Sequence, residues 1–361
     1  MNLLLFNLAM DADDSVHGHT TEWTNALASR CESVSVITMR AGRIAVADNV
    51  RVHSLGKEHG LSEPGRLRRF YSLVRGIMRT RRIDACFAHM APLFTVLFAP
   101  VAKRSGIPVV LWYAHTSVTP TLRLAHALAD RCLTSTPAGF RIPSEKLFVV
   151  GQGVDLDHFR PPAGNGPLYD RTVLTVGRIT PVKRLEEMID AIGILRDGGM
   201  DLDLKLFGAP FAPDDRRYES SLRERSASHD LTSHVSFEGA VSFHEVQTAY
   251  HAGGLFLNLS ETGSIDKAIL ESMASGCIPV SRNSSFREVA RENGLAWLVP
   301  GPGPGEVAER IAEVLRRPED ERAALAGRMR EIVASDHSLD RLSEVIVGHL
   351  GELSERAGAA Q

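Results

Sequence analysis

Two cations follow a strand pattern in the middle of the sequence. In the segment VGRITPVKRLEEMIDA, Arg178 comes directly after the buried-strand pattern of Val173–Val176. Lys183 stands where a helix over Val182–Leu195 is predicted to open. The N-terminus of a helix favours anions, and an arginine and a lysine beside it suit a diphosphate. The pattern predicts an anion site at Arg178 and Lys183, with two solvated surface cations as the alternative.

A lysine and a glutamate share one face of a second predicted helix. In LNLSETGSIDKAILESMASGCIPV a strand ends at Ser260, a small polar loop follows, and a helix is predicted to start near Ser264 or Asp266. Lys267 and Glu271 are four residues apart, so they lie on the same face of that helix. A functional interpretation is that Lys267 neutralises a phosphate while Glu271 accepts hydrogen bonds from ribose hydroxyls. The alternative is a simple intrahelical ion pair.

Short apolar runs alternate with amphipathic stretches along the chain, which is typical of parallel sheets covered by helices. The predicted strands are Leu3–Leu8, Val34–Thr38, Ala85–Ala88, Val109–Trp112, Arg131–Thr134, Phe148–Val150, Val173–Val176, Leu202–Phe207, Val235–Phe237, Leu255–Leu259 and Ile278–Ser281. The predicted helices, besides the two above, are Thr20–Arg30, Val307–Leu315 and Leu339–Leu353.

This rhythm stops at a stretch rich in proline and glycine and then restarts. It predicts an α/β fold with two doubly wound domains, 1–157 and 171–335, joined by a linker at 158–170. A last helical segment, 336–361, is expected to pack back toward the N-terminal domain. Ligands of such sheets bind beyond the carboxyl ends of the strands, so we expect the site in the cleft between the domains.

The composition argues against several classes of protein. The 361 residues carry a net charge of −3, which gives no global attraction to nucleic acid. The four cysteines form no C-x-x-C pair, which argues against a zinc site and a disulfide framework. The first residues lack the basic start of a signal peptide, and the longest apolar run, Leu93–Val101, is too short to span a membrane. We expect reduced thiols and a cytoplasmic protein.

Together with further motifs, the two charged segments resemble the retaining GT-B-fold glycosyltransferases of family 4, the glycosyl transferases group 1. VGQGVDLDHFRPP, ending at Pro162, is similar to the family's N-G-V-D-x-x-x-F-x-P hinge motif, and LKLFGAP with Gly208 to its nucleotide-side strand and glycine turn. FEGAVSFHEVQTAYHAGGLFLNLS resembles the elements before its acidic motif, and SRNSSFREV with Glu288 resembles its G-G-x-P-E-V turn. The resemblance spans nearly the whole chain and implies the GT-B fold, two Rossmann-like domains facing each other across a cleft.

The resemblance implies transfer of a sugar from a UDP- or GDP-linked donor to an acceptor hydroxyl, with retention of configuration and with neither cofactor nor metal. The family residues that match Arg178 and Lys183 bind the donor diphosphate, and the one that matches Glu271 binds the ribose. His115 matches a histidine that contacts the donor sugar; a capping or core histidine is the alternative. The donor-binding positions implied in this way are Gly18, Gly177, Gly208, Val241, Gly263, Ser264, Ile265, Asp266, Lys267 and Glu271.

The chain departs from the family at its acidic motif. The family pairs two glutamates with seven residues between them, and the first position here is Gly263. Glu261 lies two residues earlier, and Asp266 and Lys267 stand where many relatives have glycine and an aliphatic residue. Because the first glutamate usually touches the donor sugar, we expect Asp266 or Lys267 to take over some of its recognition, with backbone amides as the alternative.

The loop between the first strand and the first helix, Asp11–Gly18, is the expected acceptor side. Gly18 fits the family's glycine-rich loop, and His17 and His19 flank it as acid–base candidates or as solvated histidines. The aspartates of the loop imitate the D-x-D that binds metal in the other glycosyltransferase fold, but the GT-B resemblance implies no metal there.

The segment RLRRFYSLVRGIMRTRR at 66–82 combines seven arginines with an apolar stripe at helical spacing. Such a helix is typical of anionic membrane surfaces, which predicts peripheral contact at the inner face of a membrane and a lipid-linked acceptor. The alternative is a surface helix whose apolar stripe belongs to the core.

The function predicted from the sequence is therefore a hexosyltransferase of polysaccharide or lipid-linked glycan synthesis. Glycosylation of a small metabolite is one alternative. A sugar-nucleotide epimerase or hydrolase, or a non-catalytic nucleotide-sugar-binding subunit, are alternatives of another class. The expected partners are the donor, the acceptor and a membrane surface, and nucleic acid is not expected.

Overall fold

The computed structural model describes residues 1–14, 17–163, 171–261 and 263–359. The chain forms two compact units. The first unit is Met1–Asp155 together with Ser338–Gln361, and the second is Leu156–His337. Among the helices of the described residues, none combines the length and apolarity that a membrane-spanning helix needs.

The first unit is built on a sheet of seven parallel strands, counted in the described part of the chain, in the order β3-β2-β1-β4-β5-β6-β7. Its strands are β1 (Asn2–Met10), β2 (Ser33–Ala41), β3 (Val50–Ser54), β4 (Ala85–His89), β5 (Val109–Trp112), β6 (Arg131–Thr134) and β7 (Leu147–Val149). Its helices are α1 (His19–Ala28), α2 (Glu63–Thr80), α3 (Pro92–Ser105), α4 (Pro120–Leu128) and, from the end of the chain, α12 (Leu339–Ala359).

Both faces of this sheet are covered. On one face Phe6 of β1 packs against Phe70 of α2 and Phe94 of α3, with ring centroids 5.6 Å apart in each pair. On the other face Trp23 of α1 and Ile346 of α12 belong to one buried cluster. The last helix is therefore part of the core of the first unit.

The second unit contains a parallel sheet of five strands, again within the described residues, in the order β10-β9-β8-β11-β12. Its strands are β8 (Thr172–Val176), β9 (Asp203–Phe207), β10 (Val235–Gly239), β11 (Leu255–Asn258) and β12 (Ile278–Ser281). Its helices are α5 (Leu185–Asp197), α6 (Pro213–Ser228), α7 (Val246–Tyr250), α8 (Lys267–Ala274), α9 (Ser284–Glu292), α10 (Pro304–Leu315) and α11 (Glu319–Asp336).

The predicted α/β class with two Rossmann-like sheets is confirmed, and every predicted strand overlaps an observed one. The edge strand β3 was not predicted, because only Val50 of its residues is buried. The segment SRNSSFREV does not form a turn. Asn283 instead caps α9 by accepting a hydrogen bond from the backbone N–H of Phe286 at 3.1 Å.

The second unit begins two residues before the predicted start of the linker. Residues from Leu156 onward group with the second unit. The buried ring of Phe159 packs edge-on against Phe243 and Tyr250, with centroids 5.8 and 5.9 Å away. Residues 164–170, the rest of the predicted linker, lie outside the described residues.

Candidate functional site

The ends of three neighbouring strands in the second unit are held together by backbone contacts at two glycines. Gly177 follows β8 and donates its N–H to Phe207 at 2.9 Å, while Gly208 follows β9 and donates to Gly239 at 2.7 Å. Both glycines have positive φ, 144° and 153°. A Cβ on Gly208 would lie 1.8 Å from the carbonyl oxygen of Gly177, so no larger residue fits at this approach.

Arg178 and Lys183 lie beyond the end of β8, in the loop that leads to α5. Lys183 ends a short 3-10 turn, Pro181–Lys183, and Arg184 in the left-handed region separates it from the helix. Lys183 therefore precedes α5 and does not belong to its first turn, in contrast to the prediction. Arg178 is exposed and makes no hydrogen bond or ion pair with any described residue.

The ammonium of Lys183 is paired with the carboxylate of Asp266. The same carboxylate oxygen accepts a hydrogen bond from the amide of Asn258 at 2.8 Å, and the other oxygen accepts the N–H of Ala268 at 3.3 Å. Burial alone would raise the pKa of Asp266, but Lys183 and these hydrogen bonds outweigh it and lower the pKa below its ordinary value. Asp266 is thus an ionised N-cap of α8.

Side-chain hydrogen bonds hold the carbonyl groups of the loop before α8, and the described backbone N–H groups of this loop are free to donate. The side chain of Ser285 donates to the carbonyl of Gly263 at 2.7 Å, and that of Asn283 donates to the carbonyl of Ser264 at 3.0 Å. The backbone N–H groups of Gly263, Ser264 and Ile265 donate to no acceptor among the described residues. Free N–H groups next to a helix N-terminus form an anion-binding arrangement. Thr262 lies outside the described residues.

Glu271 is nearly buried, with 8% of its surface exposed. One carboxylate oxygen accepts the hydroxyl of the fully buried Tyr250 at 2.9 Å, and the other lies 3.5 Å from the ammonium of Lys267. The ammonium of Lys267 also lies 5.4 Å from the ring centre of Phe243. The intrahelical ion pair of the alternative reading is therefore present, and Tyr250 fixes the orientation of the carboxylate.

An arginine–glutamate network lies beside the position of the missing glutamate. Arg282, which is 4% exposed, pairs with Glu187 of α5, and Glu187 also accepts from Arg184 at 2.8 Å. Glu261 is exposed and lies 3.5 Å from Arg184 and 3.9 Å from Arg282. This network was not predicted from the sequence, because its paired residues are separated by up to 95 positions. The position of Arg282 directly after the buried strand β12 is the sequence feature that could have indicated the network.

Val241 lies in the connection between β10 and α7 and makes no hydrogen bond or ion pair with the residues described above. The described residues also contain no group of three or more His, Cys, Asp or Glu side chains placed to hold a metal ion.

The predicted acceptor-side residues belong to the first unit. Gly18 is the N-cap of α1 and has an ordinary helical backbone conformation, so its position does not require glycine. The rings of His17 and His19 lie 6.5 Å apart. Burial, with the nearby charge of Arg40, lowers the pKa of His17, although Asp14 opposes the shift.

His115 follows β5 and is exposed. Its Nδ1 accepts the N–H of Ser117 at 3.0 Å within the loop, and the N-cap of the following helix α4 is Thr119, so His115 caps no helix. Its Nε2 makes no hydrogen bond with a described residue. The ring therefore has one nitrogen fixed and the other open, which leaves the predicted sugar contact available.

A buried histidine of the first unit was not predicted. His89, at the end of β4, packs against the indole rings of Trp23 and Trp112, with centroids 4.4 and 5.0 Å away, and those two rings lie 4.9 Å from each other. The indole N–H groups of Trp23 and Trp112 are buried and have no hydrogen-bond partner among the described residues. No local pattern in the sequence marks this arrangement, because the three rings come from separate elements.

Comparison with known proteins agrees with this fold. Residues 162–331, most of the second unit, match the family model described as Glycosyl transferases group 1. Sucrose-phosphate synthase from Thermosynechococcus elongatus superposes with a TM-score of 0.76 over 100% of both chains at 15% identity. HepE from Anabaena, solved in complex with UDP, superposes with a TM-score of 0.72 over 98% of this chain and 100% of that one, at 15% identity. The fold is GT-B, and the matched region supports the group 1 glycosyltransferase family.

Two curated proteins that are similar to this chain are glycosyltransferases by name. An Escherichia coli protein named as a colanic acid biosynthesis glycosyltransferase, WcaL, is 30% identical over 201 residues, 54% of this chain and 48% of that protein. The chain thus matches about half the length of this relative. The D-inositol 3-phosphate glycosyltransferase of Thermobispora bispora is 28% identical over 327 residues, 78% of this chain and 75% of that protein.

Proposed function

We propose that this protein transfers a hexosyl group from a UDP- or GDP-linked donor to an acceptor hydroxyl, with retention of configuration, in the synthesis of a polysaccharide or lipid-linked glycan. The observation that carries the proposal is the convergence of charge and open donors in the second unit. Lys183 reaches the N-cap of α8, where the N–H groups of 263–265 have no described acceptor. This is the arrangement that a donor diphosphate requires.

In this proposal Arg178, Lys183 and the loop N–H groups bind the donor diphosphate, and Glu271 binds the ribose. Arg178 is exposed and forms no ion pair with a described residue, although its charge helps to lower the pKa of Asp215, so it can reach a ligand without breaking an ion pair. Tyr250 holds one oxygen of Glu271, and among the described residues the other lies near Lys267 at 3.5 Å, a distance that permits competition by hydroxyls. The remaining proposed donor contacts are Gly18, Gly177, Gly208, Val241, Asp266 and Lys267.

Charge builds on the departing diphosphate as the glycosidic bond breaks. Fixed cations and N–H groups stabilise that charge without reorganising, which is the largest single contribution in many enzymes. We propose that Arg178 and Lys183 supply this positive charge without a cofactor. Retention then follows a front-face route, in which a donor phosphate oxygen takes the proton of the attacking acceptor hydroxyl. His115 contacts the donor sugar, and His17 and His19 lie on the acceptor side.

A small phosphorylated polyol is the second candidate acceptor. The relative named D-inositol 3-phosphate glycosyltransferase matches a larger share of this chain than the relative named for colanic acid synthesis does. Assays therefore need both an inositol phosphate and a lipid-linked glycan as acceptors.

Thermal unfolding in the presence of UDP-, GDP- and ADP-sugars, with EDTA, tests the donor site first. A ligand at about 100 times its Kd adds roughly 2.7 kcal/mol of stability, which shifts the Tm by several degrees. We expect a shift with one UDP- or GDP-sugar. Its absence with the whole panel would contradict the donor site.

Turnover by variants then tests the residues. We expect Lys183→Ala and Glu271→Ala to lower kcat/KM by about 100-fold, the usual range for lost transition-state contacts. Lys103→Ala is the matched control, because Lys103 is an exposed lysine of the first unit without a described partner. Release of free sugar or an epimer without acceptor would instead indicate a hydrolase or an epimerase. Nucleotide binding without transfer to any acceptor would indicate a non-catalytic subunit.

A further inference from the structure

Helix α2 presents an arginine row on its outer face. Phe70, Val74 and Ile77 are buried, so the apolar stripe predicted in this helix belongs to the core of the first unit. Arg68, Arg75 and Arg79 are spaced seven and four residues apart and therefore form a line on the opposite face. The apolar stripe thus belongs to a surface helix packed on the core, which was the alternative interpretation. The packing of α2 gives its basic face no role.

The arginines of this face are not used by the fold. Arg68, Arg69, Arg75, Arg79 and Arg81 are all exposed, and none makes a side-chain hydrogen bond or ion pair with a described residue. α2 contains five arginines and a single glutamate, Glu63, which lies 3.7 Å from Arg66. These five positive charges repel one another, and no ion pair with a described residue offsets that repulsion.

Helix α6 of the second unit provides a comparison within the same chain. It contains four arginines and four acidic residues. Arg217 pairs with Asp214, Arg223 with Glu219 and Arg225 with Asp190. The arginines of α6 are thus largely neutralised by acidic residues, whereas those of α2 are not.

Exposed apolar side chains border the arginine row. Leu67 and Tyr71, one turn apart on α2, are 42% and 37% exposed. The hydroxyl of Tyr71 donates to the carbonyl of Leu97 on α3, and Leu93, one turn before Leu97, is 49% exposed. Clustered arginines on a helix bind anionic lipid headgroups, and neighbouring aliphatic side chains add apolar contact with the acyl region. Leu67 and Leu93 offer no stacking surface for the bases of a nucleic acid, and the hydroxyl of Tyr71 is bonded to the backbone of α3.

We propose that the surface formed by Arg68, Arg69, Arg75, Arg79 and Arg81 of the α2 region, with Leu67, Tyr71 and Leu93, docks on an anionic lipid membrane. The proposal concerns the first unit alone and needs neither donor nor catalysis. Its failure and that of the proposed transfer reaction can therefore be distinguished.

Cosedimentation of the full chain with vesicles tests this surface. We expect binding to phosphatidylcholine vesicles that contain phosphatidylglycerol, weak binding to phosphatidylcholine alone, and loss of binding as salt rises. R75Q/R79Q should lower the partition coefficient roughly 25-fold, since each basic residue near an anionic surface contributes about a factor of five. R216Q/R217Q on α6 removes the same net charge and should leave binding unchanged.

Both double variants replace exposed side chains, so equal Tm values will show that each is folded. L67S/L93S should weaken binding at every salt concentration, since its effect is not electrostatic. Equal binding to both kinds of vesicle, or equal losses in the α2 and α6 variants, would overturn the proposal. Retention of the chain by RNA but not by vesicles would also overturn it and assign the surface to nucleic acid.

Discussion

The ammonium of Lys183 and the carboxylate of Asp266 form an ion pair across 83 positions of the chain, between the loop after β8 and the N-cap of α8. The cation proposed for the donor diphosphate is therefore already paired in the absence of ligand. A phosphate must compete with a carboxylate that is also held by Asn258. The affinity of the donor then depends on how readily Asp266 releases Lys183.

Asp266→Asn tests this competition. Asparagine caps a helix as well as aspartate does, so α8 should remain intact. Removal of the competing charge should tighten binding of UDP or GDP by about tenfold or more, since a hydrogen bond to a charged group contributes about 1.5–3 kcal/mol. Isothermal titration measures the Kd directly. Weaker binding by this variant would instead show that Asp266 positions Lys183 for the ligand.

Tyr250→Phe removes the hydroxyl that orients Glu271. We expect a higher KM for the donor at nearly unchanged kcat, because Tyr250 is a positioning residue and touches no substrate. The loss of this buried hydrogen bond should also cost about 1 kcal/mol of unfolding free energy. In a Glu271→Gln background the same substitution should have little further effect on KM, since residues in one network are not additive. Additive effects would contradict the positioning role.

Gly208→Ala forces a Cβ against the carbonyl oxygen of Gly177, at a φ of 153° that disfavours any side chain. We expect a loss of about 2 kcal/mol or more in unfolding free energy, as in other overpacked sites. Denaturant titration measures it. Gly76→Ala is the matched control, because a Cβ on Gly76 in α2 meets nothing within 4 Å. That change should stabilise the protein by about 0.5–1 kcal/mol.

Glu187→Gln leaves the charge of Arg282 buried with a weaker partner, and Arg282 already has its Nε without a hydrogen bond among the described atoms. At neutral pH we expect a loss of about 3 kcal/mol in unfolding free energy. Burial raises the pKa of Glu187, but Arg282 and Arg184 outweigh it, and the net shift is downward from 4.5.

A carboxylate with a lowered folded-state pKa stabilises the fold above its unfolded-state pKa, and the stabilisation is lost as the pH falls through the folded-state pKa. The difference between wild type and Glu187→Gln should therefore be full at pH 7 and shrink below about pH 4. Chemical denaturation across this range measures it. A difference that is independent of pH would show that packing, and not ionisation, is responsible.

The parts of the fold that local patterns determine were predictable. The buried strand β5 is a continuous apolar run, and its predicted bounds, like those of β6, are the observed ones. The positions of Arg178 and Lys183 beyond a strand followed from the order of strand, loop and helix. The apolar run Leu93–Val101 was recognised only as too short for a membrane, and it forms part of α3.

The pairings inside the site were not predictable, because they depend on which strands are neighbours. β8 and β11 are adjacent in the sheet, and only this adjacency brings Lys183 to Asp266. The sequence suggested that Asp266 contacts the donor sugar, whereas the structure shows it bound to Lys183 and Asn258. The contact with the sugar remains a prediction. Local spacing also did not indicate the close backbone approach of Gly177 and Gly208, which excludes a Cβ at Gly208.

The position of α12 has a consequence for biosynthesis. The chain leaves the first unit at Asp155, forms the whole second unit, and returns at Ser338 to place Leu342, Ile346 and Leu350 in the core of the first. A ribosome therefore delivers the last part of that core only after the second unit has been made. The part of the sheet face that α12 covers is therefore exposed in the nascent chain. A chaperone that binds apolar surface should act on the first unit until α12 has been made.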